Sequence, residues 1–251
     1  MKRKTSLFSG VFVLSVLVLV ALIKSSSLLP IPALAFDKTA NDEELIRRAL
    51  QAKEAQSLTP TSVLKQTMET SPLDGEEIIL GINLGKNRSF LAGFEKANGR
   101  LISVSQDLAS LRSLSSTDLP GLAQKGISIE EEYDNKLGGF EQTTWQRIFR
   151  IDENNAFQQV FAHVKKSEYY WHDAWENSQG PYWHKVNEEN SFERLSPDVI
   201  IVHRKVTRFI APGDPKVMPT EYKLESSQSE NIRFEWDTAT LRFKEKTREQ
   251  A

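Results

Sequence analysis

From Gly75 onward the apolar residues recur at every second position, and that period limits what this chain can fold into. Ile78, Leu80, Ile82 and Leu84 alternate before a Gly85-Lys86-Asn87 turn. A period of two places side chains on one face of a strand, whereas a helix needs spacings of three and four. The runs Phe90 to Lys96 and Arg100 to Gln106 flank Ala97-Asn98-Gly99. With Gly99 left-handed in a three-residue loop, Phe94 faces Ile102 and Ala92 faces Val104.

The same pattern returns downstream. Thr144 to Ile151 and Phe157 to Val164 flank a five-residue turn, Asp152 to Ala156, and put Ile151 opposite Phe157 and Trp145 opposite His163. Val199-Ile200-Ile201-Val202 is apolar on both faces, which predicts a central strand running to Ile210. Ala211 to Pro219 carries three prolines and reads as an irregular loop. In a last hairpin Phe234 meets Phe243 and Trp236 meets Leu241 across a four-residue loop.

Two stretches depart from this period. Asn41 to Gln56 is helical, with Leu45, Ile46, Ala49 and Leu50 on one face, and Thr59-Pro60 reads as the start of a second short helix carrying Val63, Leu64 and Met68. Asp107 to Ala123 is Ser- and Leu-rich, with room for a helix at Leu108 to Leu114. The expected fold is therefore mainly β, an antiparallel barrel-like or sandwich sheet of about nine or ten strands behind a short N-terminal helical arm. The expected organisation is a leader at residues 1–35, a helical arm and linker at 36–75, and an antiparallel β domain at 76–251.

The leader carries the strongest motif. Lys2-Arg3-Lys4 precedes an apolar run from Leu7 to Ile23, and Ala33-Leu34-Ala35 closes the segment. Basic, apolar and small-x-small regions in that order make a secretory signal peptide cut before Phe36. The apolar run also reaches the short end of a membrane-spanning helix, so an uncleaved anchor with the body outside is the second reading. Either way the protein is expected to be exported, to a periplasm, a lumen or the cell surface.

Four of the 32 basic residues and none of the 34 acidic ones lie in that leader, so the body is more acidic than the formal net charge of -2 implies. An acidic body without a basic run argues against nucleic acid as a partner. The absence of cysteine excludes disulfides and thiolate chemistry. Glu130-Glu131-Glu132 with Asp134 lacks the spacing of a calcium loop and reads as a solvated strand end.

Residues Trp145 to His203 hold four of the five tryptophans and all four histidines. At the centre of this stretch Tyr170, Trp171 and Trp175 precede the Gly180-Pro181 turn, and Tyr182 and Trp183 follow it. Trp and Tyr offer flat apolar faces with polar edges, and Asp173, Glu176, Asn177 and Gln179 add hydrogen-bonding groups. This is equipment for a small amphipathic ligand, a glycan or a peptide. Packed core aromatics are the structural alternative, and no bound cofactor is expected.

A second functional reading is a hydrolase-like enzyme using His172, Glu176 and His184, with zinc as a possible metal. On a helix His172 and Glu176 would share a face, and His184 would return across the turn. No nucleophile elbow or phosphate-binding glycine loop is present. His203 lies beside Arg204 and Lys205, a setting that favours the neutral ring.

Overall fold

The computed structural model describes residues 40–73, 75–136, 140–176 and 180–250. The leader and its cleavage motif lie outside the described residues. The chain divides after Asp42, and residues 40–42 of the first unit form the opening turn of a helix, α1 (Ala40–Ala52). The remainder belongs to the second unit.

The first sheet holds β1 (Ser62–Met68), β2 (Glu77–Gly85), β3 (Arg88–Glu95) and β4 (Leu101–Val104), in that order and antiparallel. Its two central strands are apolar on both faces, because each face is covered. Ile78, Leu80 and Ile82 of β2 join Phe90, Ala92 and Phe94 of β3 in one buried cluster with Leu45, Ala49 and Leu50 of α1. The alternate residues Ile79 and Leu91 point the other way, into a second cluster with Ile127, Ile129, Phe149 and Ile151. Outside its apolar stripe α1 is charged, with Glu44 bonded by Arg47 at 2.8 Å and Arg48 at 2.7 Å, one turn away.

The second sheet is a meander of eight strands. It runs from β5 (Ser110–Asp118) through β6 (Lys125–Asn135), β7 (Glu141–Ile151), β8 (Phe157–His172), β9 (Tyr182–Ser196), β10 (Val199–Pro212) and β11 (Lys223–Asp237) to β12 (Arg242–Gln250). Strands β6 and β7 supply the apolar face that packs on the first sheet. A third cluster forms around Phe161, whose ring meets Phe192, Phe234 and Phe243 edge-on at 6.1, 5.3 and 5.9 Å. Such edge contacts suit the ring quadrupole.

Among the described residues the class is therefore mainly β with antiparallel sheets and one short α-helix, but the barrel is corrected. Strands β1 and β4 are the edges of one sheet and β5 and β12 the edges of the other, and among the described residues these edges do not pair to close a ring. Among the described residues there are 12 strands rather than nine or ten. The extra strands come from the two segments read as helical. Residues 62–68 pair with β2, and residues 110–118 pair with β6. Both are edge strands, whose outer flank has no strand neighbour to demand strict alternation.

Three expected registers also shift. In the β3–β4 hairpin Ala92 pairs with Val104 as expected, but a bulge after Gly93 brings Phe94 opposite Leu101. Bulges in the β7–β8 pair move Trp145 opposite Val164 and leave His163 opposite Gln146, although Ile151 does face Phe157. In the last hairpin Trp236 faces Phe243 and Asp237 faces Arg242, because Leu241 enters the loop with φ 51°.

Candidate functional site

The aromatic segment is the junction of β8 and β9. It is extended through His172, then makes a single 3₁₀ turn at Asp173–Glu176. His172 and Glu176 therefore do not share a helical face, and the side chain of Glu176 lies outside the described residues, as do Asn177 and Gln179. Because side chains alternate across a strand, the aromatics divide between the two faces of the sheet.

On one face Tyr169, Trp171 and His184 form a continuous stack. Tyr169 and Trp171 lie 5.4 Å apart at 19°, and Trp171 and its cross-strand partner His184 lie 4.8 Å apart at 14°. The Trp171 indole is thereby engaged by two stacked neighbours. His184 is fixed further by Asp173, whose Oδ1 lies 2.7 Å from Nε2, while the other carboxylate oxygen accepts the Tyr182 N–H at 3.2 Å.

On the opposite face His172 is 2 % exposed, and both its ring nitrogens are engaged. Nδ1 accepts the Ala174 N–H at 3.0 Å, and Nε2 donates to the Gly213 carbonyl at 3.0 Å. The ring is thus the neutral Nε2–H tautomer with no lone pair left for a metal. Trp183 is buried beside it and donates from Nε1 to the Asp214 carbonyl at 2.9 Å. Trp175 covers this pair, edge-on to Trp183 at 5.0 Å and tilted against Phe140 at 5.2 Å.

The five residues expected to line one ligand surface therefore separate. Tyr170 and Trp183 are core, Trp171 is half-buried in its stack, and Trp175 and Tyr182 are 47 % and 41 % exposed. His172 and His184 are not brought together either, since each imidazole serves a different face. Among the described residues no group of three His, Asp or Glu side chains is placed to hold a metal ion.

Sequence reasoning missed the polar cluster beside Tyr170. Glu168 receives Lys136 at 2.6 Å and Lys185 at 2.9 Å, and the Tyr170 hydroxyl donates to it as well. Burial works against its ionisation, but these three donors outweigh that and hold the carboxyl down at about 2. Burial pushes the Tyr170 phenol up to about 12, helped by its bond to Glu168. The signal was present as Glu168-Tyr169-Tyr170, but the strand period that separates Glu168 and Tyr170 from Tyr169 did not show which partners they would meet.

Two other readings change. Each member of the acidic run has a basic partner: Glu130 with Lys165, Glu131 with Arg147 at 2.6 Å and Glu132 with Arg112 at 2.7 Å. Glu131 is buried, not solvated, and the Arg147 contact is an ion pair set off the N–H axis. His203 is bonded to Asn231 and Glu193, which raise its pKa, so the neutral ring expected from its basic chain neighbours is corrected.

No protein-family model, curated protein or solved structure matches this chain. Among the described residues no helix is long and apolar enough to cross a membrane.

Proposed function

We propose that this is an exported, non-catalytic binding protein associated with a cell envelope, and that it docks an amphipathic surface, a lipid bilayer, through the aromatic end of β8–β11. The observation that carries this reading is where the exposed apolar side chains lie. Of six large hydrophobic residues exposed among the described residues, five fall at one end of the second sheet: Tyr169, Trp175, Tyr182, Val217 and Leu224. Strand β8 ends there, β9 begins, β10 ends and β11 begins, so antiparallel pairing gathers these segments.

The mixture favours lipid over glycan. A sugar needs an open ring face with hydrogen-bonding groups around it, and the Trp171 indole is already stacked against Tyr169 and His184. Val217 and Leu224 are 65 % and 64 % exposed and offer only hydrocarbon. Trp and Tyr beside such aliphatics match the membrane–water interface, where one end of the ring is apolar and the other wet. The apolar run Leu7–Ile23 would bring the chain to a membrane in the first place.

A hydrolase is the second reading, and one contact favours it. Asp173 holds Nε2–H of His184, which leaves Nδ1 as the basic nitrogen.

Sedimentation of the purified body with phosphatidylcholine vesicles tests the proposal. Wild type is expected to pellet with vesicles, and a Trp175→Ala, Val217→Glu double variant to stay in solution with its fold unchanged. A wild-type body that remains soluble at millimolar lipid would overturn it.

A further inference from the structure

A separate feature lies across the middle of the second sheet. Two neighbouring rows of cross-strand partners, Glu132–Thr144–Lys166 and Asp134–Gln142–Glu168, run over β6, β7 and β8. Five of these residues, with Lys136, line a cleft of about 360 Å³. We propose that this cleft binds a phosphate-bearing ligand, with the Lys166 ammonium and the Thr144 hydroxyl as its principal donors.

The two carboxylates of the lining do not oppose an anion as strongly as their number suggests, because both are already satisfied. Glu168 is held by Lys136, Lys185 and Tyr170. Glu132 takes two bonds from Arg112, at 2.7 and 3.2 Å, and one from Gln142 at 3.3 Å. Three cations, Arg112, Lys136 and Lys185, thus serve these two carboxylates, which leaves the Lys166 ammonium in the lining unengaged. Its cross-strand neighbour in β9 is Glu189, yet no ion pair joins them, and neither Lys166 nor Thr144 has a side-chain partner among the described residues.

Lys166 and Thr144 are directly paired across β7 and β8, so their donors lie side by side on one face. A tetrahedral oxyanion accepts from such a pair with two of its oxygens, and Lys136 at the cleft's edge supplies further charge. A carboxylate would use the same donors less fully, having only two oxygens. The strands are fixed on both sides by the β6–β7 and β8–β9 ladders, so the backbone that carries the donors is already in place.

The shared chemistry fits a free phosphate monoester or the headgroup of an anionic lipid, and calorimetry with the first and vesicle pelleting with the second separate them. Glycerol 3-phosphate is titrated into the wild-type body, and pelleting is measured on phosphatidylcholine vesicles with and without phosphatidic acid. Saturable binding of glycerol 3-phosphate, weakened about tenfold or more in Lys166→Ala and severalfold in Thr144→Val, is the expected result. Lys96→Ala, which removes a cation paired with Glu76 on the first sheet, should change nothing. A gain on phosphatidic acid vesicles that Lys166→Ala abolishes, without binding of the soluble ester, assigns the cleft to a lipid headgroup. If neither probe responds, or if binding survives Lys166→Ala, the cleft is not an anion site. Vesicle pelleting that depends on Trp175 and Val217, with neither glycerol 3-phosphate nor phosphatidic acid giving a response that Lys166→Ala removes, would sink this inference and leave the docking surface standing.

Discussion

The Nε2 atom of His172 lies 3.0 Å from the carbonyl oxygen of Gly213, joining the end of β8 to the loop after β10. Its Nδ1 takes the Ala174 N–H at the same time, so one buried ring satisfies two backbone groups that otherwise have no strand partner. Replacing His172 with Ala leaves both unpaired and opens a cavity beside Trp183. The expected cost is about 2–4 kcal/mol. Chemical denaturation should show a lower midpoint, and acrylamide should gain access to Trp183.

Glu168 predicts a particular acid response. Its folded pKa of about 2 lies below the ordinary 4.5, so it contributes stability above about 4.5 that is lost as pH falls from there toward 2. Glu168→Gln should therefore be less stable than wild type at neutral pH and converge with it near pH 2. Denaturation midpoints measured across that range check the convergence. A constant difference would mean that the charge of Glu168 is not what stabilises the cluster.

Phe161 is 4 % exposed and meets three other phenylalanines edge-on. Phe161→Ala should cost about 3–5 kcal/mol, the range for emptying a buried aromatic site. Urea unfolding is expected to shift its midpoint with the slope unchanged, since the surface exposed on unfolding stays similar.

Gly126 in β6 has no room for a side chain. A Cβ there would lie 2.9 Å from Leu119 Cδ2 and 3.0 Å from both Ile148 Cγ2 and Thr117 Cγ2. Gly126→Ala should lose about 1–3 kcal/mol through overpacking. Combined with Leu119→Ala it should lose less than the sum of the two single losses, which thermal melts of the single and double variants would show.

How far the sequence could be read depended on whether one residue sufficed to fix its neighbour. Alternation in Ile78, Leu80 and Ile82 identified β2 and its buried face, and Leu45, Ala49 and Leu50 identified α1. The Ile151–Phe157 pairing was legible because the turn sets the first pair directly. Farther from that turn, the bulges at Ile148/Phe149 and Thr144/Trp145 each displaced the pairing by one residue, and a bulge leaves no mark in the apolar pattern. Strands β1 and β5 were read as helices because Val63, Leu64 and Met68, like Leu108, Leu111 and Leu114, fit a helical stripe as well as a strand with one open edge.

The site shows the same limit. The concentration of Trp, Tyr and His between Trp145 and His203 pointed to the β8–β9 junction, but not to the division of Trp171 and His172 between opposite faces. That division follows from the strand continuing through His172 before the 3₁₀ turn begins. Val217 and Leu224 carried no signal at all, since only the pairing of β10 with β11 brings them to the end where Trp175 and Tyr182 lie.

Because α1 shields Phe90, Phe94 and their neighbours in β2, proteolysis of this chain has a boundary it cannot safely cross. A protease acting upstream of Ala40 would spare that shield, whereas one cutting between Ala52 and Ser62 would release a body with a greasy flank turned to water. The trimmed fragment would be expected to clump even with every residue of the second sheet intact.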